Sequence, residues 1–325
     1  MSQKLSRRIY YQIKPYVPIR ILLYARRKYI RRLRRINEDI WPIDEKCACP
    51  PEGWKGWPEG KKFALVLTHD VESEKGIDRC HKLMELEKEI GFRSSFYFLT
   101  EEYNVNADLR RTLTRNGFEV GLHGLRHNGD LYNSRKVFLD QAARINRYLK
   151  EWRVAGFRSP AMHHNLEWIL DLNVEYDSST FDTDPFEPQP DGVGTIFPFR
   201  LQDQSGQKGY VELPYTLPQD HTLFILMKER DIDIWKRKLD WIVECGGMAL
   251  FITHPDYMHF GSSRLGFKEY PVRYYEDFLK YVQLNYEGQY WNVLPRDLTR
   301  FWNENYAMLA KPCPADTCEI KKRVE

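Results

Sequence analysis

Hydrophobic and polar positions follow two different periods along most of the chain. Strand candidates occur at 63–69, 94–99, 119–123, 154–158, 174–177 and 248–254, the first opening with an unbroken apolar run at 63–67 of the kind that forms a strand buried on both faces. Between them, apolar residues recur at helical spacing over 76–90, 108–116, 135–152 and 167–172. In the first of these helices Ile77, Cys80, Met84 and Ile90 mark the apolar face. A helix at 274–286 and a short strand at 290–293 extend the series. The stretch 181–226 departs from it: a Pro-rich loop at 182–192 precedes strands near 195–198 and 210–214. Repeated β/α alternation over roughly 250 residues predicts an α/β domain, either a barrel or a doubly wound sheet.

Two segments precede that domain. Ile19, Leu22, Leu23, Tyr29, Ile30, Leu33 and Ile36 fall at helical spacing, and Arg and Lys fill most of the other face. This pattern predicts an amphipathic helix on an anionic membrane surface, with a helix packed on the domain or a nucleic-acid arm as alternatives. Residues 37–62 are rich in Pro and Gly and carry Trp41, Trp54 and Trp57. A solvated linker has no use for three indoles, so this segment is expected to lie against the domain. The predicted organisation is a basic tail at 1–36, a packed linker at 37–62, the α/β domain at 63–310 and a C-terminal tail at 311–325.

Charge sharpens the picture. The net charge of +3 hides 12 Lys and Arg and no acid in the first 35 residues, which leaves 37 basic against 46 acidic residues in the rest. The acidic balance of the domain argues against a nucleic-acid partner. No apolar run reaches the length of a membrane span or of a signal-peptide core, so a cytoplasmic protein, peripheral on the inner membrane face, is expected. Six cysteines do not make a disulfide scaffold at this length. Cys47 with Cys49 and Cys313 with Cys318 form close pairs, but neither has the usual zinc spacing, and free thiols in a reducing compartment are the simpler expectation.

Four predicted strands end in polar clusters. The first ends in Thr68-His69-Asp70-Val71-Glu72, whose two carboxylates share one side of an extended chain. Such a pair suits a general base beside a metal ligand, although an acidic helix cap explains it too. The second cluster holds His123 and His127, four apart, which places two imidazoles on one side of a helical turn as for one divalent metal. The third, Gly156-Phe-Arg158-Ser-Pro160, brings a cation able to hold Asp70 ionised. The fourth, Phe251-Ile-Thr-His254-Pro-Asp256, offers His254 as a general acid.

In this order the four clusters resemble the polysaccharide deacetylases of carbohydrate esterase family 4. The resemblance covers about 63–290. It implies a distorted (β/α) barrel that removes N-acetyl groups from a sugar or polysaccharide, using one divalent metal, zinc first and cobalt or nickel as alternatives. It also implies roles by position. Asp70 matches the catalytic base, Arg158 the residue that positions it, His254 the general acid, and His123 and His127 the metal imidazoles. The commonest motif has a second aspartate directly after the base. Val71 stands there, so Glu72 becomes the acidic ligand, as in a subgroup of the family. For the acid that tunes His254, Asp177 comes first, with Glu212 and Asp220 behind it. Pro160, Tyr176 and Phe181 are the expected substrate contacts. The implied partner is an N-acetylated glycan, lipid-linked if the tail sits on a membrane. A metal-independent, allantoinase-like amide hydrolase and a non-catalytic glycan-binding relative are the alternatives on the same fold.

Overall fold

In the computed structural model, which describes residues 17–306, the elements run α1 (Ile19–Ile36), β1 (Phe63–Val71), α2 (Glu74–Ile90), β2 (Ser94–Phe98), α3 (Ala107–Arg115), β3 (Glu119–Leu122), α4 (Arg135–Trp152), β4 (Gly156–Phe157), α5 (Leu166–Ile169) and β5 (Tyr176–Asp177). They continue with β6 (Phe199–Gln202), β7 (Gly209–Glu212), a π-helical turn (His221–Met227), α6 (Asp233–Cys245), β8 (Met248–Thr253), β9 (Met258–His259), β10 (Tyr270–Pro271), α7 (Arg273–Tyr286), β11 (Tyr290–Asn292) and α8 (Pro295–Tyr306). Cys313, Cys318 and the expected C-terminal tail lie outside the described residues, as do the first 16 positions.

The main sheet is ordered β11-β1-β2-β3-β4-β5-β7-β6, with β8 also paired to β1. All its pairings are parallel except that of β6 with β7. A parallel bridge from Leu217 to Phe251 brings the chain after β7 back to β8, so the sheet curls toward closure. The result is a distorted (β/α) barrel; β4 and β5 have only two residues each. Every residue of β1 is buried, as an unbroken apolar strand requires. Its polar end obeys the two-residue repeat. Thr68 and Asp70 share one face, while His69 on the other face bonds Thr253 at 2.7 Å and Glu87 of α2 at 2.8 Å. His69 is therefore a buried structural histidine.

The predicted strand at 195–198 lies instead at Phe199–Gln202. Helices α6 and α8 and the π-helical turn were not anticipated. Both helices carry readable signals: Ile234, Trp235, Leu239 and Ile242 in one, and Pro295, Leu298 and Trp302 in the other, are buried at helical spacing. In residues 37–62, Trp54 meets Trp57, Trp302 and Tyr306 at ring distances of 4.7, 5.6 and 4.9 Å, and the Trp57 indole N–H donates to the Gly246 carbonyl. Helix α1 corrects the membrane expectation in one respect. Leu23 and Ile30 are buried against the π-helical turn, Leu33 packs beside them, and Arg27 Nε donates to the Ile225 carbonyl at 3.0 Å. Much of the apolar stripe is thus committed to the domain, because the turn offers an apolar surface of its own. Among the described residues no helix is long and apolar enough to cross a membrane.

One buried acid gives the fold a pH signature. Glu119 opens β3 and is 2% exposed, and it accepts from the Tyr176 hydroxyl at 2.7 Å and the Arg296 amide at 3.1 Å. Burial pushes its carboxyl up to about 7. A carboxyl raised in the folded state favours folding most below its unfolded pKa, and that benefit is lost as pH rises through the folded value. Glu119→Gln cannot ionise, so the variant is expected to escape a loss of about 3 kcal/mol between pH 4.5 and 8. Denaturant melts of both proteins at the two pH values check this; equal pH slopes would contradict it.

Candidate active site

In a parallel barrel the carboxyl ends of the strands converge on one face. Asp70 from β1, His123 after β3, Arg158 after β4 and His254 after β8 meet there. Arg158 is fully buried. Its Nη1 donates to Asp70 Oδ1 at 2.8 Å and to Thr68 at 2.9 Å. Nε and Nη2 donate to the carbonyl and hydroxyl of Ser178, each at 2.9 Å. The guanidinium lies 4.3 Å over the Tyr97 ring. Burial alone would raise the Asp70 pKa; the charge of Arg158, helped by His123 and His254, outweighs it and holds the carboxyl below its ordinary value.

Glu72, His123 and His127 each present one ligand atom, and the three atoms lie within 4.8 Å of one another. Glu72 Oε1 is 3.0 Å from His127 Nε2, and Oε2 accepts from the Tyr257 hydroxyl at 2.8 Å. His123 is oriented as a metal ligand. Its Nδ1 faces the Arg158 carbonyl at 3.1 Å, and a carbonyl only accepts, so Nδ1 carries the proton. Nε2 is then the lone-pair nitrogen. It is buried without a hydrogen-bond partner among the described residues, 3.9 Å from Asp70 Oδ2. Burial pushes this imidazole down to about 4, so it is neutral at neutral pH, as a metal ligand must be. For Glu72, burial acts upward, but the imidazoles of His127, His254 and His123 outweigh it and hold the carboxyl well below its usual range. An oriented, buried, unsatisfied imidazole nitrogen beside a carboxylate and a second imidazole fits a divalent cation.

His254 is held by Asp220, not by Asp177. Its Nδ1 donates to Asp220 Oδ1 at 2.6 Å, and its backbone N–H donates to Oδ2 at 2.8 Å. Tyr270 and the His221 amide complete the shell of Asp220. Nε2 of His254 then points to the site, 3.8 Å from Glu72 Oε1. Burial acts downward on this imidazole, yet Asp220, with Glu72 and Asp70, pushes it up to about 10. Asp177 sits deeper, paired in register with Glu212 across β5 and β7. It accepts from the Ser179 amide and hydroxyl, and Ser179 Oγ accepts from the Ser159 amide at 2.9 Å. Asp177 therefore braces the turns that carry Arg158 and its partner Ser178. Only its place in Tyr-Asp-Ser-Ser suggested more.

The expected substrate contacts are corrected as well. Tyr176 and Phe181 are fully buried. Tyr176 bonds Tyr97 at 2.8 Å and Glu119, and Phe181 packs on Tyr215. Strand aromatics in a small barrel fill its interior, which leaves these rings no surface for a ligand. Pro160 is also buried, 3.0 Å from where a Cβ on Gly124 would lie. Gly124 has φ +81°, so both its backbone and its lack of a side chain are needed there. After Pro160, Ala161 and Met162 hold φ of 54° and 52°, a strained turn at the rim of the site. Sequence reading missed Tyr257, Tyr270, His221 and the role of Asp256. The Asp256 carboxylate accepts from the Glu72 amide at 3.0 Å and lies where a side chain on Gly76 would stand.

No protein-family profile matches the chain, and no curated protein matches it in sequence. Solved structures do match. A chain assigned as a polysaccharide deacetylase from Mycobacterium smegmatis gives a TM-score of 0.61 at 17% identity, over 82% of this chain and 98% of that one. Another, assigned as a polysaccharide deacetylase from Pseudomonas aeruginosa PAO1, gives 0.56 at 16% identity over 77% and 94%. Puue allantoinase gives 0.55 at 16% identity over 77% and 93%. Identities this low establish fold and leave chemistry to the site. The chain has the distorted (β/α) barrel fold of the polysaccharide deacetylases, a fold that an allantoinase shares.

Proposed function

We propose that this protein is a metal-dependent hydrolase that removes the N-acetyl group of an amino sugar. The observation that carries the reading is the pairing around one cluster: a carboxylate fixed by Arg158 and an imidazolium fixed by Asp220 flank Glu72, His123 and His127. A divalent ion held by these three residues, zinc before cobalt or nickel, would polarise the amide carbonyl and acidify water. Asp70 takes a proton from the attacking water as its oxygen bonds the acetyl carbon. A backbone N–H of the strained turn after Arg158 stabilises the oxyanion, since the Ser178 and Ser179 amides are already engaged by the Phe157 carbonyl and Asp177. Nε2 of His254 gives its proton to the amine nitrogen as the C–N bond breaks, and acetate and a free amino sugar leave. Acetate release from a panel of N-acetylated sugars, with chelator and with added zinc or cobalt, tests the reading.

Two finer readings have their own checks. The likeness to an allantoinase supports a metal-independent amide hydrolase as the second candidate. Protein purified without chelator is expected to contain about one equivalent of metal, the stoichiometry of a single three-ligand site, and His123→Ala to lose it. Full metal content in His123→Ala/His127→Ala would sink the assignment. The outward face of α1 still exposes Ile21, Tyr24, Tyr29 and Ile36 among Arg20, Lys28, Arg31, Arg32 and Arg35. That mixture supports attachment to an anionic membrane surface from the cytoplasmic side, with a lipid-linked sugar as substrate. The full chain should sediment with vesicles containing anionic lipid and be released by salt. Binding that ignores salt would rule the attachment out.

A further inference from the structure

The amino ends of the strands, opposite the candidate active site, carry a second concentration of charge. Glu119 opens β3, Val154 and Ala155 precede β4, and Glu175 precedes β5. With α3, the end of α4 and the start of α8 they enclose an open pocket of about 510 Å³. That volume is within the range of small-molecule sites. Five arginines line it: Arg110 and Arg111 from α3, Arg153 after α4, and Arg296 and Arg300 from α8. The lining carboxyls are Glu119, Glu151 and Glu175.

Pairing within the protein leaves a surplus of positive charge there. Arg111 is paired with Asp108 on its own helix, and Arg300 lies 3.8 Å from Glu175 and 3.4 Å from Asp297. Glu151 is engaged by Arg147, a residue outside the pocket, at 3.7 Å. Glu119 is bonded by Tyr176 and the Arg296 amide, and its raised carboxyl is only partly ionised near neutrality. Among the described residues neither Arg110 nor Arg153 has an ion-pair partner. Arg110 and Arg296 also lack hydrogen bonds. Nε of each is buried and has no acceptor among the described residues, and Asp297 Oδ1, 3.6 Å from Arg296 Nε, is too far to serve. The Arg110 guanidinium lies 4.2 Å over the Trp152 ring, which fixes its plane and turns its N–H edge toward an in-plane acceptor. Burial and the charge of Arg111 both act against this cation. A buried charged donor without a partner is costly unless a ligand brings the acceptor and the counter-charge.

We propose that this pocket binds the phosphate group of a small phosphorylated molecule, held by Arg110, Arg153 and Arg296. A phosphate monoester suits the arrangement better than a carboxylate, because its two charges and three free oxygens serve several guanidiniums at once. The pocket is larger than a phosphate ion and leaves room for the rest of the ligand. It lies at the end of the barrel away from Asp70, so the molecule bound there is not the group undergoing hydrolysis. The site does not rest on the hydrolase reading.

Calorimetric titration of glucose 1-phosphate, inorganic phosphate and glucose into the full chain tests the site without turnover. Glucose 1-phosphate is expected to bind with a Kd of about 1 mM or tighter, and glucose not to bind. Arg110→Gln and Arg153→Asn should each weaken both phosphate probes by about tenfold or more, the contribution of one charge-assisted hydrogen bond. Arg153 is exposed and holds φ 55° after α4, a conformation that Asn accepts, so this variant reads the site even where Arg110→Gln folds poorly. Arg115→Gln, an exposed change on α3 outside the pocket, and His123→Ala, in the candidate metal site, should bind like the parent. Phosphate affinity lost in His123→Ala but kept in both arginine variants would place the anion at the active site and overturn the proposal. Equal affinity for glucose, or no binding of either phosphate probe at about 10 mM, would overturn it as well.

Discussion

Asp70→Asn is expected to cut acetate release by about three orders of magnitude, within the range that loss of a positioned general base produces. The amide has the shape of the carboxylate, and Arg158 keeps its bonds to Thr68 and Ser178, so the local geometry should persist. What disappears is the proton acceptor. Metal content should not fall, because Asp70 lies outside the Glu72, His123 and His127 set. Stability should fall as well. Arg158 is fully buried, and removing the charged partner of a buried cation costs about 3–5 kcal/mol. Assays therefore belong well below the melting transition of the variant, with metal content and melting temperature measured on the same preparation. A folded, metallated Asp70→Asn that kept activity within about tenfold of the parent would fall outside that range and move the base elsewhere.

The parts of the fold that could be read in advance are those where one local pattern decides the structure. β1 is an unbroken apolar run, and every residue of it is buried. The four strand-end clusters could be placed together because parallel strands point their carboxyl ends the same way. The parts that could not be read depend on distant contacts. Asp220 follows Leu217-Pro-Gln and Asp177 follows Val174-Glu-Tyr, and neither local setting assigns an acid to His254. Asp220 meets His254 only because Leu217 bridges to Phe251 and draws the chain after β7 against β8. Tyr176 and Phe181 have the aromatic character of a sugar platform, but the pleat of a small curled sheet turns them inward. The stripe on α1 was visible, yet whether it meets lipid or protein depends on the apolar π-helical turn more than 190 positions later.

The His254–Asp220 pair should set the alkaline limit of activity. A general acid works only while protonated, so turnover is lost as pH rises through its pKa. With Asp220 in place the imidazole is pushed up to about 10, and the wild-type alkaline limb should be correspondingly high. In Asp220→Asn the hydrogen bond remains but the largest raising charge is gone, and only Glu72 and Asp70 are left to oppose burial. The limb is expected to move down by more than about two units. A cation bound at Glu72 lowers both proteins alike, so the difference between them is the quantity to measure. Removing the imidazole itself separates acid catalysis from positioning. His254→Ala should lose about 100- to 1,000-fold on an N-acetyl sugar, whose amine cannot depart without a proton. On 4-nitrophenyl acetate the loss should be far smaller, because a phenolate leaves unprotonated. Equal losses on both substrates would make His254 a residue that orients Glu72 or the carbonyl, and an Asp220→Asn profile that overlays the wild type would remove the pair from the proton path.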